Sequence, residues 1–130
     1  MKSEKLALIV EAEQIIAYDL KYHLNKLGYS SIHFASGEKA IENTKESSLD
    51  CIIIAETVDG ELDGYQTIKK VIELNPKYKN RIIFINTTPH TKLPEYYHED
   101  IKHILCVNKP FQYEDIENAI KKIKENSFSK

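Results

Sequence analysis

Short apolar runs alternate with longer stretches in which apolar residues return every three or four positions. Residues 6–10 (Leu, Ala, Leu, Ile, Val) are continuously apolar, as a strand covered on both faces must be. Ile16, Leu20, Leu24 and Leu27 then recur at helical spacing, and Gly28 stands where a left-handed residue stops a helix. Residues 31–35 alternate with period two, which fits a strand exposed on one side. A short helix over about 38–46 comes next, with Ala40 and Ile41 inward. Residues 51–55 form the second fully apolar run, and 56–63 read as a loop turning at Asp59 and Gly60. Asp63 can cap a third helix carrying Ile68, Val71 and Ile72, which must stop before Asn75 and Pro76. Residues 81–86 predict another buried strand. Pro89 and Pro94 break the chain after it, so a fourth helix is expected to be short and to begin near Pro94. Residues 104–107 predict the last strand, and Ile116, Ala119, Ile120 and Ile123 a final helix. Five β–α units need crossover helices between parallel strands, so the expected class is α/β, a doubly wound five-stranded sheet with helices on both faces.

Length and composition narrow the function classes. A chain of 130 residues is one ordinary domain, here 1–130 with a core over about 5–125 and a short tail at 127–130. A net charge of −2 gives no electrostatic case for nucleic acid or an anionic membrane. No apolar run approaches the roughly 20 residues of a membrane span. Two cysteines make no disulfide framework, and the start leads into a strand without a signal-peptide core, so a cytoplasmic protein is expected. The five histidines are scattered and none pairs at ligand spacing, so no metal and no cofactor is expected.

In an open doubly wound sheet, chemistry gathers at the carboxyl ends of the strands. That directs attention to Glu11–Ala12–Glu13, Ala55–Glu56–Thr57, Asn86–Thr87–Thr88 and Asn108–Lys109–Pro110. Over about residues 5–125 the chain resembles the receiver domain of two-component response regulators. Residues 8–13 resemble that family's first strand and acidic motif. Residues 50–64, ending in Asp63–Gly64, resemble its third strand and loop, and Lys109–Pro110–Phe111 its motif after the fifth strand. The resemblance implies a flavodoxin-like, CheY-like receiver fold of strand order 2-1-3-4-5 and a role in phosphorelay signalling.

It also implies which positions should be reactive, and several are not. The phosphoacceptor position is Ala55, and the family's direct metal ligand is replaced by Ala12. The position that closes on the phosphoryl oxygen holds Asn86, and the switch aromatic is Cys106. Of the reactive set only Glu11 and Lys109 remain. A carboxylate nucleophile and oxygen ligands for Mg²⁺ are needed for aspartyl phosphorylation. The expectation is therefore a pseudo-receiver, not an enzyme, working by protein–protein contact. Lys109 should pair with Glu11 first and Glu56 second, while Glu11 and Glu13 can also serve as solvated carboxylates facing a helix start.

Two alternatives belong to other classes. A phospho-competent receiver could use Glu56 or Asp59 as a substitute carboxylate, although strand alternation sends Glu56 to the opposite face if the strand continues past Ala55. A small-molecule or flavin module would need a phosphate cradle at a helix N-terminus, where this chain carries Glu11 and Glu13. With strand four between them, Cys51 and Cys106 should be about 9–10 Å apart, too far for a disulfide, and are expected as separate buried thiols. The expected partner surface, for a second copy or another protein, is the face of the fourth helix, fifth strand and final helix. There Tyr96, Tyr97 and Tyr113, flanked by His98 and His103, are the aromatic anchors. Only 127–130 come after the final helix, so the chain is expected either to stand alone or to be part of a longer one.

Overall fold

Five predicted strand segments become five parallel strands in a computed structural model that describes residues 5–44, 48–87 and 104–128. The strands are β1 (Lys5–Val10), β2 (Tyr29–Phe34), β3 (Cys51–Ala55), β4 (Ile82–Asn86) and β5 (Leu105–Asn108). Their order in the sheet is β2-β1-β3-β4-β5, as the resemblance implies. The helices are α1 (Gln14–Lys26), α2 (Gly37–Thr44), α3 (Gly64–Leu74) and, after β5, α4 (Tyr113–Phe128). The short helix expected near Pro94 lies outside the described residues, as do Pro89, Tyr96, Tyr97, His98 and His103.

The pleat divides the core in two. Ala7, Ile9, Ile53, Ile83 and Ile85 point to one face, where Ala17, Leu20 and Leu24 of α1 and Ile116, Ile120 and Ile123 of α4 cover them. Leu8, Val10, Ile52, Ile54 and Phe84 point to the other, under Ala40 of α2 and Ile68 and Val71 of α3. Alternating positions of one strand thus serve opposite layers, and both layers are dry, which is why β1, β3 and β4 read as unbroken apolar runs.

Local signals fix the ends of the elements. Gly28 stops α1 with φ of +91°. Asp63 caps α3: its carboxylate accepts from Gln66 N at 2.8 Å, and Gln66 Oε1 accepts from Asp63 N at 2.9 Å, a reciprocal capping box. Gly64 is required by crowding, since a Cβ there would run into the carbonyl of Ala55. The Asp63–Gly64 pair therefore docks α3 against the end of β3.

Four details differ from the sequence expectation. α4 runs through Phe128, into the stretch expected as a tail. β2 starts two residues and ends one residue earlier than expected, and it is half-buried along most of its length rather than exposed on alternate positions, because it is an edge strand. A 3-10 turn over Pro76–Arg81 precedes β4 and buries Tyr78, whose hydroxyl accepts from Leu49 N at 3.3 Å. Cys106 is only partly buried, because β5 lies at the other edge of the sheet. Both thiols are free, as expected.

Candidate functional site at the strand ends

The order of the strands brings the residues after β1, β3, β4 and β5 to one rim. Glu11 follows β1 directly; its N–H donates to Phe34 O at 3.1 Å, extending the ladder by one bond. His33 Nε2 donates to Glu11 O at 2.7 Å. With backbone held on both sides, the Glu11 carboxylate points inward and is 1% exposed. Lys109 follows β5, and its N–H donates to Asn86 O at 3.0 Å.

Lys109 Nζ lies 3.1 Å from Glu11 Oε1 and 3.6 Å from Glu13 Oε1. Glu11 Oε2 also accepts from Glu13 N at 3.0 Å. The expected first partner is therefore correct, while Glu13 takes the second place in this pairing. Glu13 occupies the N-cap position of α1 without a side-chain capping bond, which leaves its carboxylate to reach back toward the ammonium.

Glu56 departs from strand alternation. β3 stops at Ala55, so the pleat does not govern the next side chain. Glu56 N donates to Ile85 O at 2.8 Å, and its Oε1 accepts from Thr87 N at 2.8 Å and Thr87 Oγ1 at 3.3 Å. Its side chain lines the same cavity of about 170 Å³ as Glu11, Ala12, Thr87 and Lys109. Asp59 is drawn elsewhere: it bridges to Ser36, with its N–H on Ala35 O at 2.9 Å.

Of the remaining predicted positions, Ala55 and Asn86 lie on the same rim, whereas Cys106 and Tyr113 lie away from it. Ala55 and Asn86 are buried at the ends of β3 and β4. Cys106 pairs with Phe84 and packs beside the α2–α3 layer, its thiol 3.6 Å from Ile104 O. Burial pushes that thiol up to about 11. Cys106 also lines a separate groove of about 330 Å³ between β5 and α4, with Val107, Asn118 and Lys122. Tyr113 opens α4 as expected, but its ring sits edge-on to His23 of α1, with centroids 5.0 Å apart.

Sequence reasoning missed an aromatic stripe on α1. Ile15 and Tyr18 are 85% and 77% exposed, and Tyr22 is exposed beside them. Their spacing of three and four residues signals one helix face, distinct from the buried one.

The donor set at the rim does not fit a resident Mg²⁺. Ala12 and Ala55 bring no side-chain oxygen, Glu11 is committed to Lys109 and Glu13 N, and Glu56 Oε1 to Thr87. A hard cation that prefers octahedral oxygen ligands would have to displace these bonds.

Comparison with known proteins accords with the architecture. The family described as the response regulator receiver domain matches residues 7–121. The response regulator receiver protein CpdR of Brucella abortus (strain 2308) is 28% identical over 125 residues, spanning 92% of this chain and 96% of that one. The fold is similar to a CheY-like receiver domain from Methanospirillum hungatei JF-1, with TM-score 0.83 and 18% identity over 98% of this chain and 100% of that one. It is also similar to the receiver domain of the sensor histidine kinase PA1611 from Pseudomonas aeruginosa PAO1, with TM-score 0.76 and 18% identity over 94% and 99%. That structure holds a magnesium ion in its active-site cleft.

Proposed function

The chain belongs to the response-regulator receiver family, and from that premise we propose that it is a signalling domain which does not accept phosphate on aspartate and acts through protein contact. The observation that carries this reading is the state of the rim. The phosphoacceptor position is a buried alanine, and the Lys109 ammonium is already neutralised by Glu11 and Glu13. Aspartyl phosphorylation needs a carboxylate nucleophile and a cation to offset developing charge. Of the two substitute carboxylates considered, Glu56 reaches the Lys109 cavity, and its Oε1 is held by two donors of Thr87.

The proposed contact surface is the face built on β5 and α4 together with Tyr96, Tyr97, His98 and His103. The groove between β5 and α4 supports it, since Val107 and Ala119 give it an apolar floor and Asp115 and Lys122 a polar rim. Among the described residues no helix is long and apolar enough to cross a membrane.

Incubation with acetyl phosphate and Mg²⁺, read by intact-protein mass spectrometry, tests the reading. No phosphoryl adduct is expected. A stoichiometric adduct lost on Glu56→Gln would establish the substitute-carboxylate alternative. Calorimetric titration should show no Mg²⁺ site tighter than about millimolar, because Glu11 and Glu56 are both engaged by other groups of the rim.

A further inference from the structure

Glu56 holds β4 on both sides of Asn86. Its backbone N–H is on Ile85 O at 2.8 Å, and its carboxylate takes the N–H of Thr87 at 2.8 Å and the hydroxyl at 3.3 Å. Thr87 is the first residue beyond β4, and the pairing of β4 with β5 ends one residue earlier, at Asn86 and Asn108. The Thr87 amide has thus left the ladder, and a carboxylate receives it. Bonds of this kind, N–H or O–H to an anion, are roughly twice as strong as neutral ones. Two neighbouring features permit the arrangement. Ala55 carries only a methyl group at the end of β3, and Lys109 is paired with Glu11 and Glu13.

We propose that Glu56 is a built-in latch: an anion carried by the chain itself that holds the exit of β4 in a single arrangement. The latch rests on the reading of the domain as one that is not switched by phosphorylation, and it names the side chain that fixes the conformation instead. Reach is essential to it. An aspartate at this position is one methylene shorter and falls short of Thr87, whereas glutamine keeps the reach and gives up the charge.

Amide hydrogen exchange of the full chain, followed residue by residue by NMR, tests the proposal. Glu56→Ala should speed exchange at Thr87 by about tenfold or more, the loss expected for a bond to a charged group. Glu56→Asp should behave like the alanine variant, and Glu56→Gln should give a smaller rise. The amides of Ile53 and Ile83, inside the sheet, should stay unchanged in all three. The latch is overturned if Thr87 does not respond to Glu56→Ala, or if Ile53 and Ile83 accelerate equally, since the effect would then be global stability. Phosphoryl transfer to the wild-type chain is scored separately. An adduct there would overturn the unphosphorylated reading while the Thr87 exchange still decides whether the latch exists.

Discussion

The Lys109 side chain is 17% exposed, and its ammonium meets two carboxylates of opposite character: the Glu11 side chain is 1% exposed and that of Glu13 69%. The asymmetry predicts unequal costs. Lys109→Met strips Glu11 of the cation that the described residues give it and leaves a buried charge, an arrangement that costs about 3 kcal/mol or more. Glu11→Gln leaves Lys109 with Glu13 and partial access to water, so its cost should be about 1 kcal/mol. Urea denaturation of both variants checks the order, and equal costs would contradict it. The Lys109–Glu11 pair was legible in the sequence because β1 and β5 deliver both residues to the same rim. Glu13 was not, since a carboxylate at a helix start has a sufficient local explanation in the dipole. Glu56 was not either, because pleat alternation holds only inside a strand and β3 ends one residue earlier. Thiol chemistry gives a second test at this scale. Burial, then the nearby Asp50 carboxylate, pushes the Cys51 thiol far above its usual range, and burial holds Cys106 near 11. Thiolate is the reactive form, so a disulfide reagent near neutral pH should titrate both thiols only after denaturant is added. Rapid labelling of the native chain would refute this.

Among the elements, the junction of β3 with α3 shows how two adjacent residues divide one task. Asp63 supplies the helix cap and Gly64 the space beside the Ala55 carbonyl. Asp63→Ala should cost about 1 kcal/mol, the usual value of a side-chain cap. Gly64→Ala should cost about 2 kcal/mol or more, because the new methyl group meets backbone that cannot turn aside. A reversed order in thermal melts would mean that capping, not close approach, governs the junction. The loop before α3 has a clasp of its own: Glu38 of α2 accepts from Glu61 N at 2.8 Å and Leu62 N at 3.2 Å. Elements of this kind were largely legible, since unbroken apolar runs and an Asp at a helix start report their own environment. The 3-10 turn over Pro76–Arg81 was not, because Tyr78 is fixed by a bond to Leu49, 29 residues earlier in the chain. The face proposed for partner contact depends on Tyr96 and Tyr97, which lie outside the described residues, and on α4, whose Tyr113 is turned toward α1.

For the whole molecule, stability depends on pH from both directions, through a surface loop on the acid side and the buried layers on the alkaline side. On the acid side, backbone hydrogen bonds hold the Glu38 carboxyl below its ordinary value of 4.5. A depressed carboxyl contributes stability above the unfolded value, and that contribution is lost as pH falls through the folded one. On the alkaline side the groups are acids kept neutral by burial: Cys51 well above its ordinary value of 9.0, Cys106 at about 11, and Tyr29, also opposed by the negative charge of Asp50, at about 12. Below the unfolded values both states hold these protons and nothing changes. Above pH of about 9 the unfolded chain gives up cysteine protons that the folded chain retains, so ionisation favours unfolding and stability falls with each further step. For Cys106 the loss runs from about 9 to about 11 and then levels off; for Cys51 it continues. The melting temperature should therefore be level over about pH 6–8 and decline steadily above 9. Cys51→Ala removes the group with the longest alkaline reach. That variant should start lower, because a small cavity replaces the thiol, yet decline less steeply with pH than the wild type. Parallel alkaline slopes in the two proteins would show that Cys51 does not carry the effect.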